Sequence, residues 1–256
     1  MRNLVLTSCA LLLAPVCGIG ALAQTPAAPA DTTLLTAATE HLHRRYREAL
    51  GSSAALYNGV QYVNYASATA QGHQFFKSKN ELRGSVHYDG YEFTDLAMQY
   101  DAKLDALLVN SFNSPAKFRL VDERVRHFVI DGHRFVRLVA DSASAKVLTT
   151  GYYELLFAGG PQLQVLAKHG KDLQTRMGPR LSYQEFTDVD RYYLRKGNAY
   201  HPVGSKGSVL AVLHDRKKEL KKYAAEQNLK FKKENRATAI AQLVRHYHAL
   251  TQAAAR

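Results

Sequence analysis

The chain has no tryptophan, and its only cysteines, Cys9 and Cys17, fall within the first 17 residues. Everything after them is barred from disulfides, thiolate metal centres and cysteine nucleophiles. An exported chain of this kind must be stabilised by its hydrophobic core alone. Glycan-binding surfaces lean on tryptophan, so its absence weighs against that use. Asn-x-Ser/Thr acceptors are missing. So are the Gly-x-Ser-x-Gly elbow, His-Glu-x-x-His, the P-loop and the dinucleotide fingerprint. Gly159-Gly160-Pro161 is too short to cradle a phosphate and reads as a turn. Asp89, Asp95, Asp101 and Asp105 lack the Asp-x-Asp spacing and loop glycine of a calcium site. We therefore assign no catalytic residue, no cofactor and no metal ligand from the sequence.

One long apolar run is present, Leu4 to Leu22, preceded by Arg2 and ending in Ala21-Leu22-Ala23. A short positive start, an apolar middle and a small-x-small ending describe a signal peptide cleaved after Ala23. Pro15, Gly18 and Gly20 interrupt the run, and no basic flank follows it, which argues against a spanning anchor. The cysteines sit poorly for lipidation. The expected location is the periplasm or the exterior of a bacterial cell, with association to the envelope.

The formal net charge is +12, and loss of Arg2 leaves +11. The excess is concentrated: Arg195 to Arg236 holds twelve Lys/Arg against four Asp/Glu. An anionic partner would explain it, and so would a solvated helix face. Lys217, Lys218, Lys221, Lys222, Lys230, Lys232 and Lys233 are the contacts such a partner would use. No helix-turn-helix or zinc pattern points to nucleic acid.

Residues 24–30 read as a flexible linker, rich in Pro and Ala. A helix is expected from about residue 31, with Leu35, Ala38, Leu42, Tyr46 and Ala49 on one face. Residues 56–204 read as short strands rich in Val, Tyr, Phe and Leu. Asp89-Gly90 predicts a two-residue turn with positive φ at both positions. It would pair Tyr88 with Tyr91, His87 with Glu92 and Val86 with Phe93. Asp131-Gly132, Gly159-Gly160 and Gly197-Asn198 mark three further hairpins. Closely spaced turns with no intervening helices predict a sequential antiparallel meander. From residue 205 the pattern becomes helical. Val209, Val212, Leu213, Leu220, Tyr223 and Ala224 share the face of one helix that Asn228 can end. Ala237, Ile240, Val244 and Tyr247 form the face of another. The predicted fold is α+β: an N-terminal helix, a large antiparallel β-meander and a C-terminal helical pair packed on the same unit.

Among eleven histidines, His41/His43 and His246/His248 are spaced two apart, which on a helix points them away from each other. The second hairpin puts His127 and His133 on opposite faces, which disfavours a shared metal. His87 opposite Glu92 is a geometric acid–base candidate, with a plain cross-strand polar pair as the simpler account.

Several segments together resemble a group of uncharacterised exported proteins of Bacteroidota. They are Gly72 to Phe76, Gly84 to Asp101, Gly151 to Leu156 and Asp190 to Phe231. The last joins Tyr192-Tyr193 with Lys206, the Arg216 to Leu220 run and Lys230-Phe231. The resemblance implies export and a single folded unit, and brings no activity with it. The function expected from these readings is non-enzymatic binding through a sheet face, with the basic helical end against an anionic surface. The alternatives are a hydrolase built from scattered Asp, Glu and His residues, and an outer-membrane β-barrel. The barrel would need sustained ten-residue alternation.

Overall fold

The computed structural model describes residues 36, 38, 39, 41, 42, 56–111, 115–142, 144–178 and 182–254. The signal segment and the linker lie outside this set. So does the expected N-terminal helix, apart from Thr36, Ala38, Thr39, His41 and Leu42. The chain divides into two units, Met1–Tyr46 and Arg47–Arg256, and every described strand belongs to the second.

Eleven strands form one antiparallel sheet. In chain order they are β1 (Val60–Gln61), β2 (Leu82–Tyr88), β3 (Tyr91–Asp101), β4 (Ala106–Asn110), β5 (Lys117–Arg119), β6 (Val125–Ile130), β7 (His133–Leu138), β8 (Gly151–Ala158), β9 (Leu163–Lys168), β12 (Arg191–Lys196) and β13 (Ala199–Pro202). A separate hairpin, β10 (Lys171–Met177) with β11 (Ser182–Asp188), is inserted after β9. The turn chemistry set the hairpins as expected. Asp89 and Gly90 have φ of 50° and 86°, Asp131 and Gly132 of 50° and 77°. The pairs Tyr88–Tyr91, His87–Glu92 and Val86–Phe93 are all present, as is Ile130–His133.

The spatial order is β1-β5-β4-β3-β2-β6-β7-β8-β9-β12-β13. This corrects the expectation of one sequential meander. After β5 the chain turns back through Asp122–Arg124, and β6 pairs with the free edge of β2. Two runs of hairpins thus grow outward from β2. Local turn signals specify each hairpin but carry no information on which edge a returning strand will choose. Among the described residues β1 and β13 are unpaired edges, so the sheet is open.

The sheet is strongly curled. β3 and β8 are four strands apart, about 19 Å in a flat sheet. Yet Asp105, in the turn after β3, accepts from the backbone N–H of Tyr152 on β8 at 3.3 Å. It also accepts from Tyr100 Oη at 2.6 Å and pairs with Lys168. The concave face holds an aromatic core in which Phe128 stacks on Phe135 at 4.6 Å and Tyr100 meets Tyr152 edge-on at 6.1 Å. Such pairs each add about 0.5–1.5 kcal/mol to the burial term. Gly151 allows the close approach: its φ is 151°, and a Cβ there would run into the Asp105 carboxylate and Lys168 Nζ.

Asp101 is fully buried at the end of β3. It accepts from Tyr62 Oη at 2.9 Å, Tyr65 Oη at 3.2 Å and the backbone N–H groups of Lys103 and Leu104, each at 2.9 Å. Burial pushes its carboxyl above the usual range, and these four bonds offset only part of that.

Three helices complete the unit: α1 (Lys206–Val212), α2 (Lys217–Glu226) and α3 (Arg236–Ala254). Ser205 caps α1, its side chain accepting from Ser208 N at 3.2 Å while Ser208 Oγ accepts from Ser205 N at 3.1 Å. The single helix expected across Val209 to Ala224 is broken at Leu213, where ψ is 45°. Lys196 on β12 donates to Val212 O at 3.2 Å, and Asp215 accepts from Lys196 and from Tyr247 Oη of α3, both at 2.8 Å. These tertiary bonds hold the break, and the predicted pair becomes three helices. Asn228 ends α2 with φ 48°, as expected. Leu210, Leu213, Leu220, Ile240 and Val244 pack on Val165 and Leu194 of the sheet. No described helix is long and apolar enough to cross a membrane.

Candidate functional site

The seven lysines marked by the sequence are all exposed. At about 100° per residue, Lys217, Lys221, Lys218 and Lys222 fall within an arc of about 140° on α2. That arc is clear of Leu220 and Ala224, which are buried. Lys222 lies 3.8 Å from Glu226. Among the described residues, Lys217, Lys218 and Lys221 have no carboxylate within 4.0 Å. Lys230, Lys232 and Lys233 follow on the connector to α3.

His87 and Glu92 are directly opposite, but they do not act as a pair. The β2–β6 register also puts His87 beside His127. Their rings stack at 5.4 Å with 26° between planes, and the nearer partner of Glu92 is His127 Nε2 at 3.8 Å. His87 Nδ1 is buried without a hydrogen bond among the described residues. Burial, with Arg134 nearby, holds His127 below the usual imidazole range. The third member of this cluster comes from a strand pairing that the hairpin signal could not reveal.

The concave face carries a second and larger cluster, one the sequence reading missed. Phe135 pairs with Glu154 and Glu154 with Ala167. His133 lies two residues before Phe135, at the start of β7, and His169 two residues after Ala167, just past β9, so both meet Glu154 diagonally on the same face. Glu154 accepts from His169 Nε2 at 2.6 Å and contacts His133 Nδ1. His169 Nδ1 lies 3.2 Å from Asp190, just before β12. Lys77 Nζ is 2.7 Å from His133 Nε2 and 3.3 Å from Asp131. Lys77 itself holds a left-handed φ of 54°. A lysine ammonium only donates, so His133 accepts from Lys77 through Nε2 and its Nδ1–H donates to Glu154. Phe76 lies over His169 at 4.7 Å and meets His133 edge-on at 5.3 Å.

Burial opposes charge on both His169 and Glu154, but the mutual hydrogen bonds prevail. Bonds to Asp190 and Glu154 raise His169 to about 9. Bonds from His169 and His133 hold Glu154 below the usual carboxylate range. At neutral pH the centre is therefore an imidazolium between two carboxylates.

This cluster floors a cleft of about 810 Å³ between the sheet and α3, within the range of ligand sites. Lys77, Lys171, Asp188 and Tyr192 line one side, and Lys233, Glu234, Thr238, Ala241, Gln242 and Arg245 the other. Of the predicted lysines only Lys233 reaches it. Lys171 is paired with Asp188 at 2.6 Å. A sequence signal for the cluster did exist: Glu154 is the one acid in Gly151-Tyr-Tyr-Glu-Leu-Leu, on the same strand face as the buried Tyr152.

The pair His246 and His248 points apart as expected. His246 stacks on Tyr223 of α2 at 3.9 Å, and His248 meets Phe157 of β8 at 5.8 Å.

No family model, curated protein or solved structure matches this chain.

Proposed function

We propose that this is an exported envelope protein that binds without chemical turnover and rests against an anionic surface through its basic helical end. The observation that carries this reading is the arc of four exposed lysines on α2, continued by Lys230, Lys232 and Lys233 on the connector. A solvated face of an amphipathic helix shows the same alignment; what favours a surface is that Lys217, Lys218 and Lys221 have no carboxylate within 4.0 Å among the described residues. The export half rests on the N-terminal segment, and the periplasm or the cell exterior are the compartments it fits.

The clustering of His133, Glu154, His169 and Asp190 favours a second reading, hydrolysis in the cleft. Against it, both ring nitrogens of each histidine and both oxygens of Glu154 are already engaged. A general base needs a lone pair facing its substrate. Turnover of ester, phosphate or glycoside substrates that disappears in Glu154→Gln would replace the binding reading with this one.

The direct test is sedimentation of the mature chain with phosphatidylglycerol vesicles and, separately, with phosphatidylcholine vesicles. Binding only to the anionic vesicles, lost between low and high salt, is expected. Equal binding to both, or binding indifferent to salt, would overturn the reading.

A further inference from the structure

We propose that the cleft beneath α3 is a binding site for a small organic anion with an apolar or aromatic body. The proposal does not rest on export or on the lysine arc.

Most charges in the cleft are already answered. Lys77 has Asp131 and His133, Lys171 has Asp188, and His169 has Glu154 and Asp190. On the α3 side Lys233, Glu234 and Arg245 are exposed, and two cations there stand against one carboxylate. Among the described residues neither Lys233 nor Arg245 has a carboxylate within 4.0 Å. Arg245 instead lies over the ring of Phe157 at 5.6 Å, a contact that leaves its N–H edge available. Both cations are exposed at the mouth of the cleft, where an anion entering it would meet them in place of water.

Below them the cleft is not uniformly polar. Phe76, Leu156, Tyr192 and Ala241 supply apolar surface between the cationic rim and the buried network. Glu154 and His169 cannot move to accept a polar ligand without breaking bonds made in a nearly dry site, which is expensive. The floor around Phe76 and Leu156 therefore suits a body that asks for few hydrogen bonds, although His73, whose Nδ1 is buried without a partner among the described residues, also lines the cleft. The rim fixes the charged end, and a volume of about 810 Å³ accepts a ligand of two fused rings or a short acyl chain.

Two dyes of similar body test this on the whole mature protein: anionic 1-anilinonaphthalene-8-sulfonate and uncharged N-phenyl-1-naphthylamine. The expected result is one sulfonate bound per chain, at least ten-fold tighter than the neutral dye. Lys233→Gln with Arg245→Gln should remove that preference while leaving the neutral dye within about two-fold. Thr238→Trp, from an exposed position on the rim, should weaken both dyes. Gln242→Trp serves the same purpose if the first variant is not folded by circular dichroism. Equal binding of the two dyes overturns the proposal. So does sulfonate binding unmoved by the double substitution or by a rim tryptophan. Substituting Lys217, Lys218, Lys221 and Lys222 by Gln should leave dye binding intact, which separates a failure here from failure of the surface reading.

Discussion

Glu154 accepts a hydrogen bond from His169 at 2.6 Å with only 8% of the carboxylate side chain and 13% of the imidazole exposed. An ion pair so nearly dry is held by geometry, because each partner alone would be a buried charge. The pair itself needs only β8 and β9 in register, while His133 and Asp190 extend the network to β7 and the start of β12.

Its protonation makes stability depend on pH. His169 is raised from its ordinary 6.5 to about 9. A raised folded value means that its contribution is full below about 6.5 and is lost as pH rises through about 9. The whole effect is on the order of 3 kcal/mol. Glu154 is held low, so its contribution is present above the ordinary carboxylate range and lost on acidification. Urea unfolding should show a maximum near pH 6, with a decline towards pH 9.5 that is much shallower in His169→Gln. A flat profile in the wild type would contradict the ion pair.

Glu154→Gln should be costlier than a surface change. It leaves His169 and His133 facing an amide in place of a carboxylate, and breaking one side of a buried pair costs about 3–5 kcal/mol. The unfolding midpoint in urea is the readout. Glu92→Gln, on the opposite face, should change stability by roughly 0.5 kcal/mol or less, since its histidine lies at 3.8 Å.

How much of this was visible in the sequence depends on distance along the chain. Asp89-Gly90 and Asp131-Gly132 fixed their hairpins because the turn residues and paired strands are neighbours. Asn228 stopped α2 for the same local reason. The β2–β6 pairing joins strands separated by three others, and nothing local names that partner. The break at Leu213 was hidden because Lys196, Asp215 and Tyr247 enforce it from three separate elements. The cleft was hidden most completely. Lys77, His133, Glu154, His169 and Asp190 have no shared motif, and only the register of β7, β8, β9 and β12 gathers them. The lysine arc was legible, because helical spacing alone places four side chains together.

Gly151→Ala should destabilise the curled sheet. The new Cβ meets the Asp105 carboxylate and Lys168 Nζ in a backbone conformation that suits glycine. Strain and a broken pair together should cost about 2–4 kcal/mol. Gly90→Ala also stands at positive φ but meets nothing within 4 Å, and it should cost roughly 1 kcal/mol. Thermal unfolding of the two variants side by side would separate crowding from backbone strain.

Ser205→Ala removes the side-chain cap of α1 while leaving the backbone bond from Ser205 N to Ser208 Oγ. A loss of about 1 kcal/mol is expected. Hydrogen exchange should rise first at Ser208, whose N–H the Ser205 side chain caps.

If the α2 arc meets an anionic surface, the affinity of one variant shows it most directly. Lys217, Lys218, Lys221 and Lys222 would be replaced together by Gln, and binding to phosphatidylglycerol vesicles measured at low salt. Each lysine near such a surface is worth about 1 kcal/mol, so affinity should fall by roughly 100-fold or more while unfolding and dye binding stay unchanged. Vesicle binding that survives all four substitutions would contradict the account.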